Sequence, residues 1–167
     1  MREVQRRLEE ELKALEREFR VDLPREIKTA VAQGDLSENA EYKAALERQH
    51  YVKARISALR ERLSELGTLK LDRAPKDRVG LGSTIVLLDL DTEAEVTYEL
   101  VIPEISDAEA GLISIASPIA KGLIGRKEGE QVTIPIPSGR RRFEIVELQT
   151  LHDKQEPAPS DGSEGPA

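Results

Sequence analysis

Apolar residues in the first 33 positions recur at intervals of three and four, the spacing of a helix that packs along one face. The series is Leu8, Leu12, Leu15, Phe19, Leu23, Ile27 and Val31. Pro24 interrupts it. Because a proline has no backbone N–H to donate and its ring clashes with the preceding turn, we expect a kink or a local break at that point.

A second apolar series has the same spacing. Its members are Ala45, Gln49, Val52, Ile56, Leu59, Leu63 and Leu66, of which only Gln49 is polar. Each patterned stretch is about 28 residues long, which corresponds to a helix of about 40 Å at about 1.5 Å rise per residue. Gln33 and Gly34 separate the two stretches, so the simplest packing is an antiparallel coiled-coil hairpin over residues 1–67. Gly67 is a suitable residue to end the second helix.

After Gly67 the pattern changes to short β-rich runs separated by turn residues. Strands are predicted over residues 83–88, 95–101, 111–115, 131–136 and 142–148. Pro135 is expected on an edge strand or at a bulge, Ser138-Gly139 in a hairpin turn, and residues 118–124 in a short helix. The predicted fold class is α+β, with a helical hairpin followed by a small β-rich domain over residues 76–152. Residues 153–167, rich in Pro, Ser, Gly and acids, are expected to be disordered.

Composition narrows the possible functions. The chain has no cysteine, which excludes disulfides and thiolate metal sites, and two histidines alone are too few for a metal site. No apolar run is long enough to span a bilayer and the N-terminus lacks the apolar core of a signal peptide, so a cytoplasmic protein is expected. Residues 1–66 are neutral in sum, and residues 67–167 carry the whole net charge of −7. That charge disfavours the second half as a nucleic-acid binder.

Acidic residues cluster at the break between the two helical series. Asp35, Glu38 and Glu41 follow one another at intervals of three, so they lie close together if the second helix begins near Asp35. One interpretation is a capping box, with Asp35 as N-cap and Glu38 at N3. The other is a metal site, but one or two exposed carboxylates cannot hold Mg²⁺ tightly, because it prefers octahedral oxygen ligands. On the second interpretation another molecule supplies the remaining ligands, and the hairpin completes that molecule's active site.

Two motifs, Gly34 to Tyr42 and Ile113 to Gly125, resemble motifs of the Gre family of bacterial transcript-cleavage factors. Gly-Asp-Leu-Ser-Glu-Asn-Ala-Glu-Tyr at residues 34–42 is similar to the family's coiled-coil tip, and Leu36 and Glu41 are closer to its GreA branch than to GreB. Ile-Ser-Ile-Ala-Ser-Pro-Ile-Ala-Lys-Gly-Leu-Ile-Gly at residues 113–125 is similar to its C-terminal signature. The two motifs occur in the order expected for the family, and the resemblance covers roughly residues 8–150.

The resemblance implies a transcription elongation factor with an FKBP-like C-terminal domain. Gre factors bind bacterial RNA polymerase at the rim of its secondary channel and insert the coiled coil toward the active centre. There the tip acids help to hold the second catalytic Mg²⁺ while the polymerase cuts backtracked RNA. The factor is therefore expected to stimulate an enzyme without being one. Its expected partners are the polymerase and the 3′ end of the nascent RNA within that complex, with no membrane, and it is expected to be monomeric.

The motif match assigns individual residues. Asp35 and Glu38 are the predicted residues that assist catalysis and share Mg²⁺ with the polymerase, an ion that the isolated protein is not expected to bind stably. The predicted supporting residues at the tip are Ser37, Asn39, Glu41 and Tyr42. For Ser37, Asn39 and Tyr42, helix capping or tip packing is the alternative interpretation.

Two further sets of candidates lie outside the tip. Arg48, Lys53 and Arg55 are on one helix and are candidates to face the RNA through phosphate electrostatics. The alternative is a solvated flank of the coiled coil, paired with its glutamates. Candidates for docking to the polymerase are Ser117, Pro118 and Ile119, for which a turn packed for stability is the alternative.

Three other function classes stay open. A divergent Gre-like paralogue that binds the channel and modulates or inhibits transcription is one. The chain lacks the Pro-x-Thr-x-x-Gly opening common in the family, and it has Lys43, His50 and Tyr51 where His, Gly and Phe are usual. An autonomous hydrolase would need more convergent ligands or a base. A coiled-coil or FKBP-like adaptor, chaperone or isomerase is the third. Isomerase pockets are usually lined by aromatic residues, and residues 67–167 contain only Tyr98 and Phe143 as aromatics.

Overall fold

The structure, a computed structural model, describes residues 1–34, 39–69 and 71–155. The chain divides into two compact units, Met1–Leu69 and Lys70–Ala167, which we call the hairpin unit and the sheet unit. The first consists of helices and the second is built on a five-stranded sheet. The predicted α+β class is therefore confirmed.

The hairpin unit begins with a long helical stretch that changes its winding once. Helix α1 spans Arg2–Arg17, a π-helical turn spans Glu18–Asp22, and helix α2 spans Leu23–Ala32. The π-helical turn ends just before Pro24, whose missing N–H and bulky ring disrupt the ordinary α-helical bonds of that turn. The local break expected at this proline therefore takes the form of a widened turn. The backbone stays in the right-handed helical region through Leu23.

Helix α3, Ala40–Thr68, packs antiparallel against α1 and α2. Leu23, Val52 and Ile56 form a buried cluster, with Leu12, Leu15 and Phe19 packed against it. The predicted seam is confirmed along α3. It differs at the end of α2, where Val31 is 46% exposed and Ala30 is 2% exposed. Seven residues after Leu23 bring Ala30 back to almost the same side of a helix with 3.6 residues per turn, whereas Val31 is rotated away.

The structure defines both ends of α3, and the condition that it begins near Asp35 is not met. The helix begins at Ala40, with Asn39 as its N-cap, and does not begin near Asp35. It also continues through Gly67 to Thr68, and the extended backbone of Leu69, with ψ of 109°, ends it. The hydroxyl of Thr68 donates to the carbonyl oxygen of Glu65 at 2.8 Å, a local bond that keeps this last turn helical.

The sheet unit contains one mixed sheet. Its strands are β1 (Thr84–Asp89), β2 (Glu95–Val101), β3 (Leu112–Ser114), β4 (Gln131–Ile136) and β5 (Gly139–Gln149). Their order is β3-β2-β1-β5-β4, and only the β2–β3 pair is parallel. Pro135 lies on the edge strand β4, as expected. Strand β5 begins three residues earlier than predicted, at Gly139, which pairs with Ile136 across a tight turn.

Short helices complete the sheet unit. Helix α4 spans Pro118–Leu123, close to its predicted position, and α5 spans Leu151–Gln155. Two 3₁₀ turns span Leu71–Arg73 and Pro103–Ile105. Three residues of the tail expected to be disordered, 153–155, thus belong to α5, and the rest of that tail lies outside the described residues. Within the described ranges, no helix is long and apolar enough to cross a membrane.

The core of the sheet unit lies between one face of the sheet and α4. Alternation places Ile85 and Leu87 of β1 on the inner face with no exposure, and Phe143 and Ile145 of β5 beside them. Ala120 and Leu123 of α4 belong to the same buried cluster, and α4 packs on β4 and β3. This packing holds the segment from Ser117 onward in place.

Candidate functional site

The predicted tip lies at the end of the hairpin where α2 and α3 meet. Asp35, Ser37 and Glu38 fall outside the described residues, and the structure describes the two helix ends that flank them. Gln33 caps α2, and Gly34 has φ of +119°, a backbone conformation that favours glycine. The chain therefore leaves the helical path at Gly34, immediately before the acidic residues.

Asn39 joins the two helix ends. Its Oδ1 accepts a hydrogen bond from the backbone N–H of Tyr42 at 3.0 Å, which caps α3. Its Nδ2 donates to the carbonyl oxygen of Ala30, in the last turn of α2, at 2.8 Å. For Asn39 and Tyr42, the structure thus supports the capping interpretation, and it adds a contact across the hairpin that the sequence did not suggest.

Glu41, the remaining supporting candidate, is exposed in the first turn of α3. A negative charge in that position interacts favourably with the positive end of the helix dipole and stabilises the helix. It lines a shallow surface cavity together with Arg25, Glu26 and Thr29 of α2. Across the described residues, no group of three or more His, Cys, Asp or Glu side chains is placed to hold a metal ion.

Two of the three RNA-facing candidates form ion pairs across the hairpin. Arg48 makes a bidentate pair with Glu18, with N–O distances of 2.6 and 2.9 Å. Arg55 makes another with Glu11, at 2.8 and 3.1 Å. The hydrogen bond from each arginine lowers the pKa of its glutamate partner, so the glutamates stay charged. Each arginine charge is therefore balanced locally.

Lys53, the third candidate, is exposed and forms no ion pair with a described residue. It lines a surface cavity of about 290 Å³ together with Phe19, Arg20, Ile56 and other residues of the hairpin. Arg60, which also lines this cavity, is paired with Glu16 at 2.7 Å. The structure therefore does not join Arg48, Lys53 and Arg55 into one basic patch.

The glutamate partners of these arginines were not predicted as functional residues, although a signal for them was present. Glu11 and Glu18 are seven residues apart, as are Arg48 and Arg55. In an antiparallel hairpin the earlier glutamate meets the later arginine, so equal spacings on the two helices allow both pairs to form in one register. Tyr51 lies under the guanidinium of Arg48, 5.1 Å from ring centroid to Cζ, and is 58% exposed.

The docking candidates lie on an apolar groove in the sheet unit. Ser117 is the N-cap of α4, and its Oγ accepts a hydrogen bond from the N–H of Ala120 at 3.2 Å. Pro118 is exposed and Ile119 is half-buried. The groove has a volume of about 520 Å³ and is lined by Ala108, Ile113, Ser117, Pro118, Ile119, Pro135, Ile136 and Pro137. We call this surface the apolar groove.

The sequence pattern did not indicate that the Pro135-Ile136-Pro137 segment belongs to this surface. The only available signal was two prolines flanking an isoleucine beside a predicted turn. The end of β4 meets the start of α4 through tertiary packing, which brings residues 135–137 beside residues 117–119. Neither Tyr98 nor Phe143 is among the residues that line the groove.

Two family models match the chain in order and together cover most of it. The model described as "Transcription elongation factor, N-terminal" matches residues 2–66. The model described as "Transcription elongation factor, GreA/GreB, C-term" matches residues 74–150. The boundary between the matches falls beside the division between the hairpin and sheet units.

Curated relatives match over nearly their whole length. The chain is 44% identical to transcription elongation factor GreA of Desulfotalea psychrophila over 145 residues, which is 87% of this chain and 90% of that protein. It is 43% identical to GreA of Orientia tsutsugamushi, over 86% of this chain and 90% of the relative. Among solved structures, GreA factor homolog 1 of Thermus thermophilus is similar over 87% of this chain and 94% of its own, with 24% identity and a TM-score of 0.40. This structural similarity is not used to assign the family.

Proposed function

Because the chain belongs to the GreA/GreB family of transcription elongation factors and is GreA-like, we propose that it binds bacterial RNA polymerase in the secondary channel. There it stimulates the polymerase's own cleavage of backtracked nascent RNA. The observation that carries the proposal is the match of both halves of the chain to the family, with an intact acidic tip sequence between the two helices of the hairpin. The role implies action in the cytoplasm, where the polymerase lies.

In this proposal Asp35 and Glu38 complete the polymerase active site. Mg²⁺ prefers oxygen ligands, among them carboxylates. The two tip carboxylates would supply some of these ligands, and the polymerase and its RNA would supply the rest. When bound there, a second Mg²⁺ supplies charge stabilisation for the oxygens that attack and leave in the cleavage. The two carboxylates would help to hold and orient the ion, and the polymerase carries out the reaction.

The rest of the hairpin presents the tip. Arg48 and Arg55 hold α3 against the earlier helices through Glu18 and Glu11, and we assign them to the hairpin rather than to RNA. Lys53 keeps an uncompensated charge among the described residues, so it is the proposed cation for the RNA 3′ end.

The apolar groove is the proposed docking surface for the polymerase. It combines the three residues suggested by the family motif, Ser117, Pro118 and Ile119, with the proline-flanked turn at residues 135–137. A concave surface lined almost wholly by apolar side chains is suited to burying an apolar protein segment. Docking through the sheet unit leaves the hairpin unit free for the channel.

The test uses a polymerase stalled in a backtracked state, with RNA labelled at its 3′ end and Mg²⁺ present. The wild-type protein should release short labelled fragments. Asp35→Asn and Glu38→Gln remove one charge each at nearly constant size and should lower the cleavage rate strongly while binding to the polymerase persists. Glu47→Gln, an exposed acid on α3, is the matched control and should cleave like the wild type.

If Asp35→Asn and Glu38→Gln cleave at the wild-type rate, the proposed role of the carboxylates is contradicted. Inhibition of transcription by the wild-type protein, without labelled fragments, would instead support a regulator that blocks the channel.

Docking is tested with a variant that leaves the tip intact. Pro118→Asp introduces a charge into the apolar groove at the first position of α4, where an acid is compatible with the helix. We expect a higher concentration of protein for half-maximal cleavage and an unchanged maximal rate. Val146→Asp, at an exposed apolar position on β5 outside the groove, should change neither quantity.

A further inference from the structure

Asn39 makes one hydrogen bond to each of the two helix ends that flank the acidic residues. Its Oδ1 accepts from the N–H of Tyr42 in α3, and its Nδ2 donates to the carbonyl oxygen of Ala30 in α2. Ala30 is buried, so its carbonyl belongs to the packed part of the hairpin. A single planar amide therefore spans the two helices at the place where the chain reverses.

The chemistry of this contact requires an amide. One partner is an N–H and the other a C=O, so the side chain must accept on one atom and donate on the other, as Asn does in one orientation. A carboxylate can still cap α3, but its second oxygen would face the carbonyl oxygen of Ala30 without a proton to share. A serine can cap α3 as well, although its side chain is shorter and has only one polar atom.

We propose that Asn39 is a positioning residue for RNA cleavage, because it sets the separation of the two helix ends between which Asp35 and Glu38 lie in the chain. This inference rests on the proposed function. Reacting groups must be held closely, and a misplacement of about 1 Å costs about 100-fold in rate. Capping by itself would only stabilise α3, whereas the bond to Ala30 sets where α3 starts relative to α2.

The variants separate these two roles. Asn39→Ala removes both the cap and the contact with Ala30, whereas Asn39→Ser and Asn39→Asp keep a capping oxygen and lose the contact. We expect all three to lower the maximal cleavage rate by roughly 10- to 100-fold, with an unchanged concentration for half-maximal cleavage. If Asn39→Ser restores the rate that Asn39→Ala loses, capping explains the effect and the proposal is wrong.

A second measurement does not depend on the polymerase. The chain has no cysteine, so spin labels attached at Thr29→Cys and Lys43→Cys, both exposed positions near the two helix ends, report their separation. We expect a narrow distance distribution with Asn39 and a broader one with Asn39→Ser in the full-length protein. Unchanged width would overturn the proposal, and so would a broader distribution with full cleavage.

Failure of the proposed function gives a different result. If the unaltered protein releases no RNA fragments, the cleavage role is lost for every variant alike. The label distances then still decide whether Asn39 fixes the helix ends.

Discussion

At the scale of single residues, the turn between β1 and β2 depends on one buried carboxylate. Asp89 is 3% exposed, and its Oδ1 accepts from the backbone N–H groups of Asp91 and Thr92. Its Oδ2 accepts from Arg141 at 2.8 Å, and that guanidinium lies 4.9 Å from the ring centroid of Phe143 in the core. The arginine, followed by the two backbone donors, lowers the pKa of Asp89 below its ordinary value of 3.8.

The lowered pKa predicts a dependence of stability on pH. A depressed carboxyl pKa stabilises the folded state above the pKa in the unfolded chain, and this contribution is lost as pH falls through the folded pKa. Asp89→Asn should therefore lower the urea midpoint at pH 7, and its difference from the wild type should shrink below about pH 4. Unfolding curves at several pH values measure both effects.

Asp91→Asn is the matched control, because Asp91 lies in the same turn but is half-exposed in its pair with Arg142. Its effect at pH 7 should be smaller. A difference for Asp89→Asn that stays constant from pH 7 to pH 3 would contradict the argument.

At the scale of elements, apolar packing and ion pairs contribute unequally to the hairpin unit. Leu23 is fully buried against Val52 and Ile56 at the start of α2. The bidentate pairs of Arg48 and Arg55 lie on the surface, with side chains that are 46% and 40% exposed. Exposed pairs typically contribute about 0.2–1 kcal/mol, so packing dominates stability while the pairs favour one register.

Leu23→Ala should therefore lower the unfolding free energy by about 2–5 kcal/mol, the usual range for a buried leucine. Arg55→Gln should cost less than about 1 kcal/mol. Val31→Ala, on the same helix as Leu23 but 46% exposed, is the control and should change stability by less than about 0.5 kcal/mol. Urea unfolding followed by helical circular dichroism measures all three. A larger loss for Val31→Ala than for Leu23→Ala would show that α2 packs on another face.

At the scale of the whole molecule, docking and assistance to cleavage are proposed for two different units, each with its own core. The sheet unit has a core of its own, with side chains from Val79 to Ile145. The hairpin unit is held by its own seam and by pairs between its helices. Docking is proposed for the sheet unit and assistance to cleavage for the hairpin unit. The two activities should therefore separate when the chain is cut between the units.

A fragment of residues 70–167 should fold and bind the polymerase without stimulating cleavage. Added in excess, it should raise the concentration of full-length protein needed for half-maximal cleavage and leave the maximal rate unchanged. The same fragment with Pro118→Asp should compete less. A folded fragment that does not compete would locate docking outside the sheet unit.

The sequence by itself determined the main helices and strands and their order, although it did not indicate α5. The helical seam of α3, the strands, the edge position of Pro135 and helix α4 followed from local periodicity and from the chemistry of proline, which act within a few residues. The motifs at residues 34–42 and 113–125 also indicated the family correctly. The acidic tip assignments of Asp35 and Glu38 stay predictions.

Only the tertiary structure decided which side chains meet. The start of α3 at Ala40, after the N-cap Asn39, the burial of Ala30 in place of Val31, and the pairing of Arg48 and Arg55 with glutamates depend on how two helices are aligned. The apolar groove depends on β4 packing beside α4. Most of these contacts join residues that are distant along the chain. The burial of Ala30 rather than Val31 depends on a rotation of a fraction of a helical turn. Local sequence patterns carry too little information to predict the contacts or the rotation.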